Sequence, residues 1–147
     1  MGKNKEDEKV IFLDIDGVIN KVGTIERWEG CFGMDKKLIS ILHRLVKETK
    51  AKLVLSSTWR HDPDWRNTMK ACGIKYKFLD KTISLWTPNS IRGDEIKEWL
   101  DRHPEVKKYA IIDDDSDFYP EQKLFQTSYK TGLTDKIAND IIKYFKL

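Results

Sequence analysis

Residues that staple a chain or carry it through a bilayer are scarce here. There are two cysteines, Cys31 and Cys72, with no Cys-x-x-Cys spacing and no His/Cys ligand pattern near either. That excludes a disulfide framework and a thiolate zinc site, and two free thiols suit a reducing cytoplasm, the expected location. Histidine is equally thin: His43, His61 and His103 are scattered, and structural or surface roles are expected of them. The longest unbroken apolar runs are four residues, far below the roughly 20 needed to span a membrane. Charge of one sign is lacking too, since 27 Lys+Arg face 24 Asp+Glu. An excess of three permits an anionic partner without requiring one, and no block of like charge resembles a nucleic-acid tail. Met1 to Lys9 reads as a flexible leader without the apolar core of a signal peptide. Residues 10–147 are then expected to form one domain, large enough for a true core.

The most informative segment is Val10-Ile11-Phe12-Leu13-Asp14-Ile15-Asp16-Gly17. A continuous apolar run predicts a strand buried on both faces, as in parallel α/β sheets. Asp14 and Asp16, spaced i, i+2, are expected to converge at its carboxyl end, where open α/β sheets bind ligands. Two close carboxylates repel, so a positive group belongs beside them, and a hard divalent cation suits the oxygens.

Alternating elements follow. Asn20 to Gly33 is irregular. Asp35 is expected to cap a helix over Lys36–Lys50, followed by a strand over Ala51–Ser57. Asp62-Pro63 reads as a helix start with Gly73 as its stop. A weak strand over Tyr76–Leu79, a helix over Arg92–Arg102 and a strand over Tyr109–Ile112 come next. A short strand at Leu124–Thr127 and a final helix capped by Thr134 complete the pattern. Strands alternating with helices predict a parallel sheet with right-handed crossovers, an α/β fold.

Three strands end in polar clusters: Asp14/Asp16, Ser56/Ser57/Thr58 and Asp113/Asp114. A parallel sheet gathers these on one edge, with Arg92 opening an intervening helix. The set suits phosphoryl transfer. Asp14 is the candidate nucleophile and Asp16 the candidate acid and base. Ser57, with Ser56 as the other register, and Arg92 would hold the phosphate. Asp113 and Asp114 would hold Mg2+ with the Asp14 carboxylate and the Asp16 backbone carbonyl. Asp117 is either a further metal-side acid or, preferably, the cap of a short helix after the strand, and Asp115 should be solvated. Most of the five tryptophans are expected in the core, but Trp28 and Trp86 lie in irregular stretches and could stack on a substrate base. Glu26, Arg27 and Glu29 around Trp28, and Arg60, are expected at the rim.

The motifs, in order, resemble those of the haloacid dehalogenase-like (HAD) phosphatases: a strand ending Asp14–Gly17, a strand ending in Ser, a basic residue before a helix, and a strand ending Asp113-Asp114. The run Ser57–Arg60 and Gly132-Leu133-Thr134 are similar to small HAD domains of modular RNA-repair proteins, and the layout is similar to the phosphatase domain of polynucleotide kinase-phosphatases. The resemblance implies a three-layer Rossmann-like fold, an aspartyl-phosphate intermediate and Mg2+. The chain departs from the pattern at the third motif, which usually supplies Lys; Arg92 is best placed and Lys97 is the alternative. The intervals between motifs are too short for a separate cap domain, so an open site is expected. An open site suits a phosphate on a nucleic-acid end or nucleotide. The alternatives are a small-metabolite phosphatase closed by oligomerisation, and a non-catalytic binding domain with the same fold.

Overall fold

A computed structural model describes residues 9–85 and 87–147. Five strands form one parallel sheet in the order β5-β4-β1-β6-β7. They are β1 (Lys9–Leu13), β4 (Lys52–Leu55), β5 (Phe78–Lys81), β6 (Lys108–Asp113) and β7 (Leu124–Gln126). A separate hairpin joins β2 (Arg27–Trp28) to β3 (Cys31–Phe32). The helices are α1 (Lys36–Thr49), α2 (Trp65–Ala71), α3 (Arg92–Asp101) and α4 (Asp135–Lys146).

The strand alternation sorts the core into two layers. Ile11 and Leu13, with Leu53, Leu55, Ala110 and Ile112, pack against α1, α2 and α4. Val10, Phe12, Val54 and Ile111 face the other way, against Ile96 and Trp99 of α3. Phe12 meets Trp99 edge to face at 5.3 Å, and the Trp99 indole N–H donates to Asp80 at 2.8 Å, so the largest buried side chain has its polar atom satisfied. Helices on both faces of a parallel sheet make the three-layer Rossmann-like α/β architecture, with no cap domain among the described residues.

The chain winds outward from β1 to β4 and β5, then returns to build β6 and β7 on the other side. The reversal lies between β1 and β6, and ligands bind outside the strand ends at such a point.

Several boundaries differ from the sequence expectation. Lys9 pairs with Lys108 and opens β1 rather than ending a leader, while residues 1–8 lie outside the described residues. Strand β5 starts two residues late, because Phe78 is the residue that buries while Tyr76 stays exposed. The stretch read as irregular contains the hairpin, turned by Glu29 and Gly30 at φ 51° and 83°. Positive φ at both central positions is the geometry that matches strand twist, but Glu-Gly is a weaker signal for it than Asn-Gly. The helix expected at Asp62-Pro63 begins at Trp65, after a 3-10 turn over Thr58–His61. Asp62 anchors that start by accepting from the Thr68 hydroxyl at 2.6 Å. The histidines are structural where partners are visible: His43 accepts the Lys75 backbone N–H at 3.0 Å, and His103 stacks on Trp99.

Candidate active site

The parallel ladder continues one residue past each strand, and this sets the site. The Asp14 backbone N–H donates to Ile112, Ser56 N–H to Leu13 and Thr127 N–H to Asp113. Asp14, Ser56 and Asp113 each lie two residues beyond Phe12, Val54 and Ile111. Period-two alternation therefore carries all three to the α3 side of the sheet. Arg92, first residue of α3, meets them there. Its Nη1 donates to the Ser56 carbonyl at 2.8 Å and lies 3.5 Å from Asp113 and 3.9 Å from Asp14.

One carboxylate oxygen from each of Asp14, Asp113 and Asp114 lies within 4.8 Å of the others. Asp14 and Asp113 are buried. Burial, with the Asp113 charge second, pushes the Asp14 carboxyl up to about 8. Burial pushes Asp113 up to about 6 and raises Asp114 as well. With all three ionised, the carboxylates would outnumber the one guanidinium beside them and leave net negative charge in a partly dry site. Asp113 Oδ2 is fully buried and has no hydrogen-bond partner. An all-oxygen donor set that includes one buried carboxylate oxygen without a hydrogen bond fits a hard divalent cation. Gly17, at φ +82°, keeps the space clear: a Cβ there would sit 2.2 Å from Asp114 Oδ2.

Asp16 is not part of this carboxylate cluster. The strand ends at Leu13, so i, i+2 alternation does not reach it, and its exposed side chain turns toward the solvent side of the site. Asn20 donates to one oxygen at 2.9 Å and the Trp59 indole to the other at 3.2 Å. Asn20 also accepts the Gly17 N–H, tying the turn together. Asn20 has no role in the sequence reading, and Trp59 appears there only within the Ser57–Arg60 run; an Asn four residues after an acid, in a turn, is the available signal for the first.

Both serines are 1% exposed. The Ser57 hydroxyl accepts from Trp59 N–H at 3.3 Å, whereas the Ser56 hydroxyl has no partner. The Thr82 hydroxyl at the end of β5, a position not singled out from sequence, is likewise buried without one.

Other expectations need correction. Lys97 points outward and pairs with Asp101 at 2.9 Å, away from the carboxylates. Arg60 is not a rim cation: it is buried, bonded to both Glu95 oxygens at 3.1 and 3.2 Å and to Ser84 at 2.9 Å. Asp117 does not cap a helix after β6; it accepts the Arg92 backbone N–H at 3.3 Å, at the start of α3. Asp115 is largely solvated, 3.8 Å from Arg92. Glu26 accepts the Lys36 N–H at the start of α1 rather than facing the site. Trp86 lies outside the described residues.

Beside Asp16 opens a groove of about 600 Å3 between the β2–β3 hairpin and the 3-10 turn. Trp28, Phe32 and Trp59 supply aromatic walls, and Glu29 and Asp62 add carboxylates. Arg27 does not line the groove; its guanidinium lies 4.7 Å from the centre of the Phe32 ring.

A family model described as "HAD domain in Swiss Army Knife RNA repair proteins" matches residues 10–138. Among curated proteins, none matches the chain.

Proposed function

The chain belongs to the family of HAD domains found in Swiss Army Knife RNA repair proteins, and from that membership we propose that it is an Mg2+-dependent phosphatase acting through an aspartyl-phosphate on Asp14. The family suggests phosphatase-type activity in general; the observation that supports the specific reading is the cluster of buried Asp14 and Asp113 with half-buried Asp114, facing Arg92.

Asp14 attacks phosphorus and the ester oxygen leaves, taking a proton from Asp16. Asp16 then accepts a proton from the water that cleaves the aspartyl-phosphate, which frees inorganic phosphate and regenerates both carboxyl groups. Asn20 and Trp59, each donating to one Asp16 oxygen, hold that group in place across both steps. Arg92 and the hydroxyls of Ser56 and Ser57 take the phosphoryl oxygens. Asp14, Asp113 and Asp114, with the Asp16 backbone carbonyl, would hold Mg2+, which neutralises charge on the phosphoryl group and lets an anionic nucleophile approach it.

Arg92→Ala is expected to lower turnover roughly ten- to a hundredfold, the worth of a charge-assisted contact, with partial recovery in Arg92→Lys. Lys97→Ala should stay within about twofold of the parent, since a surface ion pair contributes little. The reverse pattern in steady-state kinetics would move the cation role to Lys97.

The leaving group must lie beside the acid that protonates it, which puts it in the groove lined by Asp16. Aromatic walls and carboxylates favour an uncharged, stackable group with hydrogen-bond donors, such as the nucleoside of a nucleotide or nucleic-acid end. The test is hydrolysis of p-nitrophenyl phosphate with Mg2+, then of nucleoside monophosphates and end-phosphorylated oligonucleotides against glycerol phosphate. Nucleotides should be preferred, and Phe32→Ala or Trp28→Ala should erode that preference through KM by roughly ten- to a hundredfold. No hydrolysis of any ester removes the activity; equal use of glycerol phosphate removes only the nucleoside assignment.

A further inference from the structure

Three grooves of about 330, 350 and 500 Å3 meet around the β5 edge of the sheet, and Lys77 borders all of them. Lys47, Lys50, Lys52, Arg66, Lys70, Lys75 and Lys77 line them, and no Asp or Glu does. Elsewhere the surface helices neutralise cations locally, as in Arg44–Glu48, Lys97–Asp101, Arg102–Glu98 and Lys136–Asp140. Among the described residues, the six cations other than Lys52 have no carboxylate partner. A net charge of only +3 conceals this asymmetry.

Helix ends explain part of it. Lys47 and Lys70 sit in the last turns of α1 and α2, where a cation meets the negative end of the helix. Arg66 is held by carbonyls, donating to Phe78 and Leu79 at the β5 edge. Lys50 is the C-cap of α1 and shares that helix end, whereas Lys75 and Lys77 have no such structural partner among the described residues. An aromatic ring interrupts the cations: Tyr76 is exposed at 36% and stands edge-on to His43 at 5.5 Å.

We propose that this face binds the phosphodiester backbone of a single-stranded nucleic acid, as a site separate from the catalytic edge. Cations spaced along grooves with an accessible ring combine backbone tracking with base stacking. Anionic lipid would meet a flat basic surface rather than grooves, and an acidic peptide has no base to stack on Tyr76. Position links the two sites. Helix α2 starts three residues after Asp62, which is in the wall of the catalytic groove, and carries Lys70 of the basic face in its last turn. Its seven residues span about 10 Å, so a few nucleotides reach from one to the other. Binding stands apart from catalysis; only the link to end processing rests on the phosphatase reading.

The test uses the whole chain carrying Asp14→Asn and a short fluorescein-labelled single-stranded RNA without a terminal phosphate, followed by anisotropy over a salt series. Affinity should fall with salt. Adding Lys75→Glu with Lys77→Glu should weaken binding at least tenfold and flatten the log–log salt slope by ~1.4, or ~0.7 per lost phosphate contact. In the otherwise native enzyme the same pair should leave melting temperature and kcat/KM on a nucleoside monophosphate unchanged, and lower kcat/KM on an end-phosphorylated oligonucleotide. Absence of salt-dependent binding, or indifference to the double substitution, overturns the proposal. So does equal, equally sensitive binding of polyglutamate or phosphatidylserine vesicles. Charge-sensitive RNA binding by a protein that hydrolyses no ester supports this site while removing the phosphatase reading.

Discussion

Asp14→Asn is expected to abolish turnover and, in metal-free protein at pH 8, to raise the melting temperature. The two effects share one cause. In the proposed mechanism the carboxylate is the attacking group, and the amide that replaces it is nearly the same shape but a poor nucleophile, so chemistry would be lost with the fold intact. The same carboxylate is buried beside Asp113, and burial pushes it up to about 8. In the unfolded chain it ionises near its ordinary value of 3.8. Between those values the native state holds a proton that the unfolded chain has released, so this group's contribution to stability falls as pH rises from about 4 through about 8. Replacing it removes the charge that the fold must otherwise accommodate, a gain on the order of 2–8 °C for a chain of this size. Calorimetry of both proteins with chelator, alongside an assay with Mg2+, checks both halves. Residual turnover above a few per cent would take the nucleophile role from Asp14. A lower melting temperature in the variant would mean that the buried carboxylate is already compensated without metal.

Chelation should silence the enzyme, Mg2+ should restore it, and Ca2+ should support little activity. Mg2+ demands octahedral geometry, whereas Ca2+ takes six to eight looser ligands and would displace Asp14 from the line of attack. The pH dependence of binding carries more information. A cation needs the ionised carboxylates, and without it Asp14 is held up to about 8 and Asp113 to about 6. Mg2+ must therefore expel about one proton between pH 6 and 8, and affinity should tighten by up to about tenfold per pH unit across that range. The melting temperature of metal-free protein should fall over the same interval, and saturating Mg2+ should recover it. Mg2+ titrations in buffers of different ionisation enthalpy measure both affinity and released protons. Affinity indifferent to pH, or strongest in acid, would place the metal away from these three carboxylates.

How much of this was legible beforehand depends on the range of the interaction that decides each feature. Apolar runs ending in Asp14, Ser56 and Asp113 announced buried parallel strands with polar ends, because alternation and burial are local properties that the chain writes residue by residue. The caps Asp35 and Thr134 were legible for the same reason, each bonding a backbone N–H within three residues. Contacts between distant segments were not. Arg60 reads as a surface cation until Glu95 and Ser84 close over it. Arg92 and Lys97 carry the same charge on one helix, and only the docking of α3 against the sheet turns one toward Asp14 and the other toward solvent. The start of β5 follows pairing with β4 rather than its own apolar pattern, and Trp59 reaches Asp16 only across the fold. The basic face around Tyr76 arises the same way: the end of α1, helix α2 and the connection from α2 to β5 each contribute cations that look solvated alone, and packing brings them together around grooves that no carboxylate lines. Sequence by itself therefore determined the strands of the main sheet, the four helices, the polar strand ends and the class of chemistry they suit. Tertiary structure decided which charges meet, because opposite and like charges far apart in the chain become neighbours only when the layers pack.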